Sequence, residues 1–405
     1  MTMQTFTIPI QSYLKRRQLF SQHMQTGIAI IPTAPERIRN RDAHYPYRCD
    51  SYFYYLSGFS EPEAVLVIVA KTDKVPEKHI LFCRAKDKER EIWDGYRYGP
   101  EAAKEAFNFD ETYPVTQLDE ILPTLLADQP VIYTALGHDS SWDQRIIGWM
   151  NQVRDQIRTG VTAPEKITDC RVILDEMRLI KSSEELQVMQ QAANISVQAH
   201  QRAMQITKPD KYEYEIEAEL LYTFNRLGAR FPAYTSIVAG GANACVLHYV
   251  ENTAELKSGD LLLIDAGCEL HGYASDITRT FPINGKFSAA QKDVYQLVLD
   301  AQAAAIAQVK PGNLWNEPHQ AALQVLAQGF IDLGLCHGSL DGVLESEDYK
   351  RFYMHRTGHW LGMDVHDAGQ YKQRGAWRAL QPGMVLTVEP GCYIRADDNV
   401  AEHFW

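Results

Sequence analysis

The stretch Leu262-Leu263-Ile264-Asp265-Ala266-Gly267-Cys268, followed by Tyr273-Ala274-Ser275-Asp276-Ile277-Thr278-Arg279, decides how the chain is read. An apolar, β-prone run ends on Asp265. A carboxylate at that point faces a desolvation cost unless a cation or a hydrogen-bond donor meets it. A glycine-containing turn follows, and Asp276 is expected to begin a second strand segment. A hairpin of this kind brings two carboxylates to one point, where they repel and a bound divalent cation relieves the repulsion. Taken singly, each Asp reads as a turn or N-cap residue. The pair in this arrangement reads as a metal site.

Working outward, the next signal is His355-Arg356-Thr357-Gly358-His359-Trp360-Leu361-Gly362, then His366. His355 and His359 stand at the i, i+4 spacing of the zincin helix, but the intervening Glu of that motif is absent. Gly358 also disfavours a helix, so a loop entering a strand is expected. One such histidine reads as a surface or hydrogen-bonded residue, whereas three in so short a stretch point to a site. The third signal is Val385-Leu386-Thr387-Val388-Glu389-Pro390-Gly391. Here an apolar run expected to form a strand again ends on a carboxylate, and Pro390-Gly391 breaks the chain. Glu389 alone reads as an ordinary strand-end residue.

Asp265, Asp276, His359 and Glu389 together make an oxygen-rich donor set with one imidazole. That set suits Mn²⁺, Co²⁺ or Fe²⁺, accommodates Zn²⁺, and disfavours metals that prefer thiolates. Paired metals about 3.5–4 Å apart can present a hydroxide as a nucleophile near neutral pH. The expected reaction class is therefore hydrolysis of an acyl or phosphoryl bond.

Other chemistries are excluded. Ala239-Gly240-Gly241-Ala242-Asn243 is glycine-rich but fits neither G-x-G-x-x-G nor the P-loop, so no nucleotide site is expected. There is no G-x-S-x-G elbow. The net charge of −12 repels phosphate backbones, so nucleic acid is not an expected partner. The seven cysteines include no C-x-x-C pair, which argues against a zinc ribbon and fits reduced thiols in the cytoplasm. No apolar window approaches the roughly 20 residues of a membrane span, and no secretory leader is legible.

The chain has 405 residues, beyond the roughly 250–300 at which single cores stop growing, so two domains are expected. The first, residues 1–176, reads as α/β. Short apolar runs at 28–31, 64–70, 79–82 and 131–133 alternate with helix-compatible stretches such as 118–126. A capping box at Ser182, Ser183 and Glu185 opens a long helix near the start of the second domain, residues 177–405. Strand pairs separated by helix pairs then suggest an α+β domain with an antiparallel sheet.

In this order, these motifs resemble the pita-bread metallopeptidases of the aminopeptidase P type. Tyr45-Pro46-Tyr47-Arg48, Phe53 to Phe59 and Glu61-Pro62-Glu63-Ala64 are similar to that family's N-terminal domain. His248-Tyr249, Leu263 to Gly267, Asp276 to Phe281, His355 to Asp367 and Val385 to Gly391 are similar to its catalytic domain. The resemblance implies removal of the first residue of a peptide whose second residue is proline. It implies Asp265, Asp276, His359 and Glu389 as ligands of two divalent ions, usually Mn²⁺, with Glu389 also handling a proton. It implies His248, His355, His366 and Glu389 as the catalytic side chains. A homo-oligomer, tetramer or dimer, is implied too, with the N-terminal domain serving oligomerisation and substrate access. Asp42 and Trp93 resemble residues that reach a neighbour's site.

At the end of the chain the resemblance departs. The family carries a further Glu downstream, on a strand of the type Gly-x-Arg-Ile-Glu, and Glu402 does not fit that pattern. The fifth ligand is therefore expected to be missing, the last strands with it, and little peptidase activity is expected of the 405 residues as written. Two alternatives stand beside the aminopeptidase reading. One is a prolidase restricted to Xaa-Pro dipeptides, and the other is a non-catalytic peptide-binding module on the same fold.

Overall fold

The computed structural model describes residues 6–73, 75–398, 400 and 401. They fall into two compact units. One comprises Ile8–Met177, and the other begins at Arg178 and also includes Phe6 and Thr7.

The N-terminal unit is built on a six-stranded mixed sheet. Its spatial order is Glu111–Pro114, Lys78–Cys83, Val65–Val69, Ile28–Pro32, Val131–Thr134, Lys166–Asp169. All four apolar runs expected as strands lie in it. Val65–Val69 is buried at every residue because its pairing places it inside the sheet with both faces covered. Ile28, Ile30, Val65, Val67, Ile80 and Phe82 pack with Leu118, Leu122 and Leu126 of the helix Leu118–Leu126 and with Trp149.

The C-terminal unit opens with the helix Ser183–Ile206. The expected capping box is formed: Glu185 N–H donates to Ser182 Oγ at 3.3 Å, and Ser182 N–H to Glu185 Oε2 at 2.9 Å. The helix Glu213–Arg226 follows. The antiparallel sheet joins Ile237–Gly240, Leu261–Asp265 and Thr278–Pro282, with Asp265 opposite Thr278. A second three-stranded sheet carries Tyr273–Ala274, Cys268–Leu270 and Phe231–Pro232. The helices Ala289–Ile306 and Glu317–Asp332 pack together through Ala301, Ala305, Ala322 and Leu326.

Two local expectations are corrected. Asp276 stands two residues before the strand Thr278–Pro282, because the glycine-containing turn is itself a small hairpin, Cys268–Leu270 with Tyr273–Ala274. The run 385–388 is not a regular strand. A single antiparallel bridge joins Trp360 and Leu386, supported by bonds from Leu361 N–H to Val385 O and from Thr387 N–H to His359 O. The ladder is irregular because His359 N–H donates to the Thr387 hydroxyl at 3.0 Å in place of a backbone carbonyl.

Candidate metal centre and the histidines around it

Asp265 and Asp276 are brought together by backbone approach. Ser275 N–H donates to Cys268 O at 3.0 Å and Ala266 N–H to Ile277 O at 3.1 Å. A Cβ on Gly267 would lie 1.7 Å from Ser275 O, so only glycine permits this crossing. Below it, the Ser275 hydroxyl meets Ser196 Oγ at 2.8 Å, and His200 on the same helix contacts Ala266 O at 2.9 Å through Nε2.

The segment around His359 meets the segment before Glu389 in the same manner. Glu389 N–H donates to Thr357 O at 2.8 Å. A Cβ on Gly358 would lie 2.1 Å from Thr387 O. The result is a cluster in which Asp276, His359 and Glu389 offer ligand atoms all within 4.8 Å of one another. His359 Nε2 is 3.2 Å from Asp276 Oδ2 and 3.2 Å from Glu389 Oε1.

Asp265 joins this group through Tyr234, whose hydroxyl bridges Asp265 Oδ1 and Asp276 Oδ1, the latter at 2.9 Å. One phenol proton cannot satisfy two carboxylates, and the electrostatics agree with a second proton held there. Burial and then the neighbouring Asp276 charge push the Asp265 carboxyl up to about 7. Burial alone would lower His359, but the hydrogen bonds it donates to Asp276 and Glu389 outweigh it and raise the imidazole to about 10. The site thus draws positive charge to itself, as protons here and as divalent cations in a metalloenzyme.

The donor set fits a divalent metal in a second respect. His359 Nδ1 is engaged by Trp360 O at 2.9 Å, which leaves Nε2 as the nitrogen that a cation could meet. Thr387 Oγ1 donates to Glu389 Oε1 at 2.7 Å and fixes that carboxylate.

The other histidines of the sequence reading surround the cluster at different depths. The His366 ring packs edge-to-face on His359 with centroids 4.3 Å apart, and burial followed by the His359 charge keeps it below its ordinary range. His248 is exposed but close enough for its charge to act on His366. His355 is half-buried, with Nε2 2.9 Å from the Tyr393 hydroxyl and Nδ1 2.7 Å from Arg356 O. Asp42 and Trp93 belong to the other unit, and Glu402 lies outside the described residues.

Sequence reasoning missed Tyr234, Thr387 and Tyr393. Nothing local marks Tyr234. Thr387 was visible as the one polar residue inside an apolar run. The loop carrying His366 has a further support. Asp367 is 1% exposed and receives Arg178 Nη2 at 2.6 Å and Lys181 Nζ at 2.8 Å, both side chains also 1% exposed.

Crossed glycine-dependent loops thus assemble a carboxylate–imidazole cluster of a kind that could hold a divalent cation. The chain belongs to metallopeptidase family M24: the model of that family matches residues 187–403, and the aminopeptidase P N-terminal domain matches residues 13–133. It is 45% identical to the Xaa-Pro aminopeptidase of Haemophilus influenzae, over 98% of this chain and 89% of the relative. Among solved structures it is similar to Pseudomonas aeruginosa aminopeptidase PepP, with TM-score 0.97, 48% identity, and coverage of 99% of this chain and 90% of that one. It is also similar to a zinc-substituted Escherichia coli aminopeptidase P in complex with product, with TM-score 0.95, 42% identity, and coverage of 98% and 90%.

Proposed function

We propose that this chain is an Xaa-Pro aminopeptidase, a metal-dependent exopeptidase that removes the first residue of peptides whose second residue is proline. The observation that carries the reading is the convergence of Asp276, His359 and Glu389, with Asp265 attached through Tyr234, in a chain whose two parts match the two domains of the aminopeptidase P type.

Asp265, Asp276, His359 and Glu389 hold two divalent ions in this reading, and the oxygen-rich set favours Mn²⁺. Bound divalent ions supply Lewis-acid polarisation and lower the pKa of water. The chain's own side chains do the rest. Glu389, oriented by Thr387, accepts the proton of the attacking water. In this reading His366 and His248 supply donors to the carbonyl oxygen as negative charge develops on it, where a donor stabilises the transition state more than the ground state. His355, whose Nε2 meets the Tyr393 hydroxyl, is in this reading a further histidine that contacts the substrate. An Xaa-Pro amide offers no N–H to recognise, so recognition rests on shape, and its nitrogen leaves with a proton, the one that Glu389 takes from the water.

Two further features belong to the reading. Ile92 and Trp93, on the helix Lys88–Asp94, are 80% and 84% exposed, which supports a homo-oligomer, tetramer or dimer, that covers them. All seven cysteines are unpaired, which supports a reducing, cytoplasmic setting. Among the described residues no helix is long and apolar enough to cross a membrane.

The test is cleavage of a tripeptide with proline second by protein stripped of metal and reloaded with Mn²⁺. Release of the first residue, dependent on the metal, supports the reading. Cleavage of Xaa-Pro dipeptides alone identifies a prolidase. Binding of peptide with neither metal uptake nor turnover identifies a non-catalytic module.

A further inference from the structure

Glu213 is the first residue of the helix Glu213–Arg226 and is 0% exposed. A fully buried carboxylate is costly unless its lone pairs are met. Here four donors meet it. Oε1 accepts from Gly240 N–H at 2.8 Å and from Asn243 Nδ2 at 3.0 Å. Oε2 accepts from Tyr249 Oη at 2.7 Å and from Ala254 N–H at 2.8 Å.

All four donors belong to one chain segment, residues 240–254, and all are neutral. Gly240 and Ala254 are the two feet of that segment, so a single side chain ties both. The far foot is fastened twice, because Glu213 N–H also donates to Ala254 O at 3.0 Å. Just inside it, Asn252 is buried with φ +49°. It accepts from Val238 N–H at 3.0 Å and donates to Ser236 O at 2.9 Å, which closes the base of the loop against the strand Ile237–Gly240.

The crown of the loop is the opposite. Val246, Leu247 and His248 are exposed, with Val250 beyond them. Between His248 and Val250 the chain turns inward for one residue, Tyr249, whose hydroxyl reaches Glu213. His248 is therefore the chain neighbour of the only crown residue anchored to the carboxylate. Its imidazole has no fixed contact of its own among the described hydrogen bonds, so its position is inherited from Tyr249. A carboxylate that meets no cation and serves only donors from one loop does more for the placement of that loop than for the helix it opens.

We propose that Glu213 is a positioning residue: through Tyr249 and the two feet of the 240–254 loop it sets the place of the His248 imidazole. This rests on the reading of His248 as a substrate-contacting histidine, and it extends the site to a side chain that touches neither metal nor substrate.

The experiment is a double-mutant cycle on the full chain, metal-loaded, with a tripeptide carrying proline second. Glu213→Gln, Tyr249→Phe and His248→Ala are made singly, and the first two are repeated in the His248→Ala background. Glu213→Gln is expected to lower kcat/KM roughly tenfold and Tyr249→Phe by a smaller factor. Both losses are expected to vanish once His248 is Ala, because residues acting as one unit are not additive. Leu220→Ala, a buried change in the same helix, is the control: it lowers Tm and leaves kcat/KM of the folded protein unchanged. A second readout is amide hydrogen exchange, expected to speed up over residues 241–250 in Glu213→Gln and Tyr249→Phe and nowhere else in the C-terminal unit. If Glu213→Gln does not fold, Tyr249→Phe carries the same cycle. The proposal is overturned if the losses persist undiminished in the His248→Ala background. It is equally overturned if His248→Ala costs activity while Tyr249→Phe matches the wild type in both kcat/KM and exchange. If His248→Ala itself leaves kcat/KM unchanged, the substrate role of His248 fails, and the proposal fails with it, whatever the exchange data show.

Discussion

The Tyr234 hydroxyl donates to Asp276 Oδ1 at 2.9 Å while also touching Asp265, so a single phenol holds together two carboxylates placed at opposite ends of a hairpin. Partners of this kind orient metal-binding side chains, and their loss typically costs about 10–100-fold in metal affinity or activity. Tyr234→Phe keeps the ring and removes the bridge. Isothermal titration with Mn²⁺ should show weaker binding by about tenfold, with kcat/KM falling in step at limiting metal. Unchanged affinity would mean the carboxylates are held by their backbones alone.

Stability without metal should depend on pH in a direction the two shifted groups fix. Asp265 is raised from an ordinary carboxylate value to about 7, so the folded state holds a proton that the unfolded chain has lost, and stability falls as pH rises toward 7. His359 is raised to about 10, so its contribution is complete below its ordinary value of 6.5 and is lost as pH rises through 10. The signs agree: chelator-treated protein should melt at progressively lower temperature as pH rises from about 5 to about 9. Mn²⁺ needs the deprotonated carboxylates and the neutral imidazole, so its stabilising effect should grow over the same range. Thermal scans with and without Mn²⁺ read both trends, and a Tm of the metal-free protein that climbs with pH contradicts them.

Asp367 sits between Arg178 and Lys181 with all three side chains buried. Asp367→Asn takes the charged partner from buried Lys181 and one of the charged partners from buried Arg178. Breaking a buried pair from one side costs about 3–5 kcal/mol, so urea denaturation should lose about that much. By contrast, Arg178 also pairs with Asp364, whose side chain is 42% exposed, and Asp364→Asn should cost under about 1 kcal/mol. Equal costs for the two substitutions would contradict the burial argument.

Gly358 and Gly267 are required by close approach, not by torsion angle. Gly358→Ala places a methyl group 2.1 Å from Thr387 O and must push His359 away from Glu389. Overpacking of this kind costs about 1–3 kcal/mol, and the displaced ligand should cut metal-dependent turnover more than it lowers Tm. A variant with full activity and full metal content would show that the two segments can separate without moving their ligands.

Ile92 and Trp93 are both largely exposed apolar side chains. Trp93→Glu should leave the melting of the N-terminal unit unchanged and lower the mass measured by light scattering, if that surface is covered in a homo-oligomer. An unaltered mass would remove this surface from the assembly.

Much of the architecture was legible because it follows from local rules. Short apolar runs became the strands of the N-terminal sheet, the Ser182–Glu185 capping box opened the long helix, and Leu261–Asp265 formed a strand ending on its carboxylate. What failed was also local. The run 385–388 lost its regular ladder to one side-chain hydroxyl, and the turn before Asp276 proved to be a second hairpin.

The sequence by itself determined which residue types were available: carboxylates ending apolar runs, histidines in a glycine-bearing loop, and an order of motifs that resembles one peptidase family. Only the tertiary structure decided how they act. It brought His359 against Asp276 and Glu389, inserted Tyr234 between two aspartates, and hung the His248 loop on Glu213. The reason is physical. A side chain's identity and backbone preference are written in its own segment, whereas the proton it holds and the partner it meets depend on burial and charge supplied by segments far away along the chain.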